Sequence, residues 1–355
     1  YYENGDLSKD LTLNGPMISS QAFSGVDGIE SITLDNDVSS VESNAFSGMQ
    51  SLKIVKIVGD KIACGSCAFG QNSQLEEIEI NHLDSIGTRM FENCPLIKMI
   101  SCPNVKSIGE YAFYNCTSLE EVNAPVLSSL GAYSFTNTKL NNIKLPLIAK
   151  IGDCAFANCS NLMNADFGIK TKTFGDSIFN ECRNLTSITI KSPNPPSCNK
   201  SFTNFTYVNT ILNVPEFSVD DYKSTNPWSN FFEITGVQLN YFEYEDCLYY
   251  IDGTSGVLTS VLNKNIETLI IPQTIRYHNE HVIIGDWLDN CLKGLKSLKN
   301  LSFPSTFHEL PPINNLKSLE TIAVNCEHIP DNYVRDQSKL KNINLGEQIV
   351  TIGKY

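Results

Sequence analysis

The chain has 355 residues, 41% of them hydrophobic, and sets 26 Lys and Arg against 39 Asp and Glu for a formal charge of −13. That apolar fraction supplies a large core, while the acidic excess disfavours nucleic acid and anionic membrane surfaces as partners. No apolar run reaches the roughly 18 residues of a membrane-spanning helix, and the opening Tyr1-Tyr2-Glu3-Asn4 holds no leader peptide, so no membrane insertion is expected of this segment.

From the N-terminus, residues 1–22 read as a partial unit, because Leu11 and Leu13 lie 21 residues before Ile32 and Leu34. Phe then recurs at Phe23, Phe46, Phe69, Phe91, Phe113, Phe135, Phe156, Phe179 and Phe202, in steps of 21 to 23 residues. A fixed period of that size marks a solenoid, in which one unit cannot enclose a core and each is covered by its neighbours. After most of these Phe comes an aliphatic-x-x-aliphatic-x-apolar pattern, as in Leu119/Val122/Ala124 and Leu185/Ile188/Ile190. Its second half alternates with period two, as expected of a short strand with one face in a core. Pro103, Pro125, Pro146 and Gly168 end such strands. Gly65, Gly87, Gly109, Gly131, Gly152 and Gly175 stand shortly before the Phe, where a tight bend or close backbone approach has no room for a Cβ.

Pro193, Pro195, Pro196 and Pro215 then break the pattern. The segment 214–223, followed by Asn226-Pro227-Trp228, is expected to close the array with a short helix capped by Ser218 or Asp220, while Trp228, Phe231 and Phe232 cover apolar surface. Two β-rich runs, 241–251 and 257–262, flank Asp252-Gly253-Thr254-Ser255-Gly256, which is a hairpin signal. Apolar triplets resume at Ile266/Leu269/Ile271, Leu298/Leu301/Phe303, Leu319/Ile322/Val324 and Leu340/Ile343/Leu345, with an insertion around residues 276–286. The expected domains are therefore a first array over 1–190 with about eight units, a closing unit and cap over 191–240, a β-hairpin linker over 241–265, and a second, degenerate array over 266–355, truncated at its C-terminal end. Thr351-Ile352-Gly353-Lys354-Tyr355 reads as the start of another unit, so the natural protein is expected to be longer.

The stretch Ile108-Gly109-Glu110-Tyr111-Ala112-Phe113-Tyr114-Asn115-Cys116-Thr117-Ser118-Leu119-Glu120-Glu121-Val122-Asn123-Ala124-Pro125 closely resembles the BspA-type, or Treponema-type, leucine-rich repeat, whose motif is I-G-x-x-A-F-x-x-C-x-x-L-x-x-I-x-x-P. The resemblance covers roughly residues 11–215 and resumes from about 266. It implies an α/β-type repeat solenoid, a right-handed superhelix with short parallel strands on its concave face, interrupted by the cap and hairpin. It also implies an extracellular or cell-surface location, with any leader or anchor removed, and adhesion to host matrix proteins or to other cells.

The twelve Cys fall on repeat positions rather than forming a framework of their own: Cys94, Cys116, Cys159 and Cys182 each lie three residues after a Phe. They read as small buried thiols, with cross-rung disulfides as the alternative. Cys64-Gly65-Ser66-Cys67 has redox-like spacing, yet Cys64 occupies the core position of Ile108, and no second pair follows at zinc spacing. His278 and His281 read as residues of a solvated loop, and the sequons at Asn115 and Asn158 arise from the repeat itself. No nucleophile elbow, phosphate loop or set-apart acid pair occurs, so no enzyme activity, cofactor or metal is expected.

What remains for function is the outward face of the strands. Its candidate binding residues are Lys56, Glu77, Glu79, Met99, Glu121, Asn123, Asn142, Lys144, Asn164 and Asp166, a mildly acidic set without aromatic side chains. Sugar recognition favours aromatic platforms, so this face fits an extended, basic protein ligand better than a glycan. The expected function is a monomeric, non-enzymatic interaction module. Alternatives are a structural spacer presenting another domain and, third, a glycan-binding accessory.

Overall fold

The computed structural model describes residues 2–3, 6–59, 62–80 and 82–354. It is a parallel-strand solenoid, as the repeat predicts, and divides into two compact units, Tyr1–Val237 and Gln238–Tyr355. In the first unit the alternating triplets become strands in register: Asp10–Leu13, Ser31–Leu34, Ile54–Ile57 and Glu77–Ile80 pair in parallel. Met99–Ser101 pairs with Glu121–Asn123, and Asn142–Leu145 begins a further run through Asn164–Phe167, Ser187–Ile190, Ile211–Pro215 and Glu233–Val237. A second, shorter parallel ladder runs through Ser85–Ile86, Ser107–Ile108, Ser129–Leu130, Lys150–Ile151 and Thr173–Phe174.

Between the two ladders the chain returns through a turn that carries the Phe. Phe46 through Phe179 are almost fully buried, and their rings form one stack with centroids 5.0 to 5.8 Å apart. Each turn is tied to the next through the Phe amide: Phe91 N–H donates to the Ala112 carbonyl at 2.9 Å and Phe113 N–H to the Ser134 carbonyl at 2.8 Å. The Phe carbonyl is served by the Cys three residues into the following turn, as when Cys116 Sγ donates to Phe91 O at 3.2 Å and Cys182 Sγ to Phe156 O at 2.9 Å. The thiol ladder thus packs the core and also satisfies a buried acceptor.

From Phe23 to Phe179, two residues in left-handed backbone conformation flank each periodic Phe, two before and two after it. The later position is held by Gly25, Gly48, Gln71, Asn93, Asn115, Asn137, Asn158 and Glu181, and Asn tolerates this region better than other residues with a Cβ. This backbone demand accounts for the Asn of the N-C-T/S sequons. Asn115 Nδ2 moreover donates to Asn93 Oδ1 at 2.8 Å, and Asn137 Nδ2 to Asn115 Oδ1 at 2.7 Å. The repeated Gly serves close approach: a Cβ on Gly131 would stand 2.5 Å from Glu110 N.

The closing segment departs from the turn. Residues Asn204–Asn209 form a helix, followed by helix Val219–Ser224 and a single turn at Trp228–Asn230. Tyr222 and Trp228 are fully buried, and their polar ends reach Ser192 O at 3.0 Å and Pro196 O at 2.8 Å. Three expectations are corrected here. Ser218 stands at the N-cap of the second helix but makes no side-chain cap bond, and Asp220 lies within the first turn. Phe231 is buried whereas Phe232 is 84% exposed, so Phe232 does not join Trp228 in covering the core.

The second unit combines a five-stranded sheet with a four-stranded parallel ladder of Thr268–Ile270, Asn300–Phe303, Thr321–Val324 and Asn342–Leu345. The run 241–251 is two strands rather than one, Tyr241–Tyr244 and Cys247–Asp252, because Glu245 and Asp246 take left-handed conformations and turn the chain. The insertion at 276–286 is a hairpin as well: Thr274–Tyr277 pairs with Glu280–Trp287. His278 and Asn279 form its two-residue turn, both with positive φ. His278 therefore serves a turn, and His281 lies in a strand opposite Arg276.

Candidate functional site

Alternation along each strand sends one set of side chains into the core and the other outward. Glu77, Glu79, Met99, Glu121, Asn123, Asn142, Lys144 and Asn164 are all exposed, as is Lys56, and Asp166 is half-buried. The repeat period places them in two columns, and strand pairing aligns neighbours within each paired set. Lys56 lies beside Glu79, Met99 beside Glu121, Asn142 beside Asn164 and Lys144 beside Asp166.

The columns differ chemically along their length. Lys56 Nζ pairs with Glu79 Oε2 at 3.3 Å, a surface pair of small energetic value. Asn164 Nδ2 donates to Asn142 Oδ1 at 2.8 Å, which continues the ladder of stacked amides seen in the turns. Asp166 Oδ2 accepts from Lys191 Nζ at 3.1 Å, while its buried Oδ1 has no hydrogen-bond partner among the described residues. Between these two paired ends lie Glu77, Met99 and Glu121 in one column, with Met99 58% exposed. An apolar side chain flanked by two carboxylates is the most distinctive chemistry on the face.

A second charge pattern lies just before each strand. Lys9, Glu30, Lys53, Glu76, Lys98 and Glu120 alternate in sign from one turn to the next, and Glu267, Lys299, Glu320 and Lys341 do so in the second unit. Glu30 is bracketed by Lys9 at 2.6 Å and Lys53 at 2.8 Å, and Lys299 reaches Glu267 and Lys341 reaches Glu320 at 2.8 Å. Hydrogen bonds from Lys53 and then Lys9 hold the Glu30 carboxyl down at about 2. The ion pairs at Glu30, Glu267 and Glu320 tie adjacent turns together, the signs balance along each series, and Glu77 and Glu121 stand outside it. Composition hides them, but aligning the residue before each strand reveals them.

Every Cys among the described residues is unpaired. Burial pushes the Cys64 thiol up to about 12 and raises that of Cys67, opposite to the lowered value of a reactive redox pair. Among the described residues no group of three His, Cys, Asp or Glu is arranged to hold a metal, and no helix is long and apolar enough to cross a membrane.

The model of the BspA type leucine rich repeat region matches this sequence over residues 9–119, 84–209 and 262–355. Solved structures are similar to this chain at low identity. A leucine-rich cell surface protein of Faecalibacterium prausnitzii is 17% identical over 95% of this chain and 88% of its own, with a TM-score of 0.40. A leucine-rich repeat protein of Bacteroides ovatus is 16% identical over 97% of this chain and 71% of its own, at 0.33. That of T. pallidum is 22% identical over 52% of this chain and 73% of its own, at 0.34. No curated protein matches the sequence.

Proposed function

Since the chain belongs to the BspA-type leucine-rich repeat family, we propose that it is a non-enzymatic interaction module acting outside the cell or at its surface, binding protein ligands through the outward face of its strands. In this reading residues 1–190 carry the binding array, 191–240 close it, 241–265 link it onward and 266–355 form a second array. The observation that carries the proposal is the column Glu77, Met99, Glu121: three exposed side chains on adjacent strands that the core does not use. Met99 offers apolar area to desolvate, and the two carboxylates favour a partner segment with Lys or Arg on either side of an apolar residue. Interior packing accounts for the Phe, Cys and Gly, and self-neutralising ladders account for the charges beside the strands. The column has no such internal role.

The test is capture from a host extracellular-matrix preparation by the immobilised chain, compared with a Glu77→Lys, Glu79→Lys, Glu121→Lys variant. The expected result is saturable capture that weakens as salt rises and falls at least about tenfold in the variant. No saturable capture, or equal capture by the variant, removes the proposal and leaves the spacer reading.

A further inference from the structure

The return-leg turns are joined by a second series of hydrogen bonds: Asn93 N–H to Tyr114 O, Asn115 to Thr136, Asn137 to Ala157, and Asn158 to Asn180. The next step would join Glu181 to Thr203, but there the turn gives way to the Asn204–Asn209 helix, and the series stops at Asn158. The helix cannot lie flush on the preceding turn, and a cleft of about 330 Å³ opens between them, lined by Asn180, Glu181, Arg183, Thr203, Asn204 and Phe205. That volume lies at the small end of ligand sites.

Arg183 Nε and Nη2 both bond to Glu181 Oε2, at 2.9 and 2.8 Å. The pair holds its own geometry and cancels its own charge, and Oε1 keeps its acceptor capacity. The side-chain amides of Asn180 and Asn204 make no hydrogen bond within the protein among the described residues, and each offers two donors and an acceptor. The Phe205 ring is 44% exposed. Thr203 is already engaged, its hydroxyl 3.2 Å from that of Thr206.

The geometry points to a binding site for a neutral saccharide unit in this cleft, separate from the strand face. A pyranose presents an apolar C–H face that matches an exposed aromatic ring, and a rim of hydroxyls that pair with carboxylate and amide groups. With the Glu181 and Arg183 charges balanced, the cleft gains nothing from a charged ligand. The aromatic platform missing from the strand columns is therefore present here, on the return leg.

Saturation-transfer NMR on the full chain, with maltose, cellobiose, lactose and N,N′-diacetylchitobiose each at about 2 mM, tests the assignment at the weak affinities of such small sites. Transfer to the ring C–H protons of at least one disaccharide is expected, reduced at least about fivefold by Phe205→Ala and by Glu181→Ala. Both side chains are solvent-facing, and unchanged thermal melts verify that the variants fold. Absence of transfer to all four sugars, or transfer that survives both substitutions, overturns the assignment.

Discussion

Replacing Phe113 with Ala removes a fully buried ring stacked 5.5 Å from Phe91 and 5.3 Å from Phe135. Truncating a core Phe to Ala costs about 3–5 kcal/mol, the larger values arising where the site cannot collapse. This site is poorly able to collapse, because the Phe113 amide is fixed at 2.8 Å to Ser134 O and the Phe91 amide at 2.9 Å to Ala112 O. The stack adds two ring pairs worth about 0.5–1.5 kcal/mol each, part of which is already in the truncation figure. The loss therefore belongs at the upper end, about 4–5 kcal/mol, or about 8–20 °C in the melting temperature of a unit this size. Urea unfolding followed by circular dichroism measures it, with Phe23→Ala as the internal comparison. Phe23 is only half-buried, so its truncation should cost less than half as much. A loss below about 2 kcal/mol at Phe113, or equal losses at the two sites, would refute the reasoning that inner turns are stabilised by mutual cover.

Three further outcomes follow from the same geometry. Gly131→Ala should destabilise the first unit by about 1–3 kcal/mol through the 2.5 Å approach to Glu110 N, whereas Gly15→Ala, with nothing within 4 Å, should be nearly neutral in the same urea assay. Thiol titration without reductant should find all twelve Cys reactive in denaturant, while Cys94 and Cys116 stay silent in the native chain because burial raises their thiols; fewer than twelve equivalents in denaturant would reveal disulfides. The Glu30 carboxyl is depressed from 4.5 to about 2, so its contribution is present above about pH 4.5 and lost as pH falls toward 2. Glu30→Gln should flatten the acid limb of the stability profile in that window, and an unchanged limb would contradict the bracketing by Lys9 and Lys53.

Much of the scaffold is legible in the sequence because the core imposes one residue type per position: Phe at the stack, Cys or another small donor under the Phe carbonyl, Gly where backbones meet. The outward columns are legible for the same reason, since period two leaves no choice of face once the inward residues are known. Other features escape because several residue types meet the same backbone demand. The left-handed position before the Phe is filled by Arg89, Tyr111 and Tyr133 as well as by Asn44, since the hydrogen bonds to neighbouring turns offset the cost. Glu245-Asp246 turns a hairpin without a Gly, so the run 241–251 reads as one strand. The cleft beside Phe205 depends on a turn becoming a helix, and Phe202 keeps its place in the period while that change occurs just beyond it. The exposure of Phe232 likewise follows from its place between the Trp228–Asn230 turn and the Glu233–Val237 strand, which hydrophobicity does not encode.

In the proposed reading a protein ligand docks on the strand face around Glu77, Met99 and Glu121. Hydrogen–deuterium exchange on the full chain, with and without the partner captured from matrix, distinguishes this face from the rest of the molecule. Protection is expected in peptides covering 77–80, 99–101 and 121–123, with the return-leg turns at 88–94 and 110–116 unchanged. Protection confined to the return legs or to the second unit would contradict the claim.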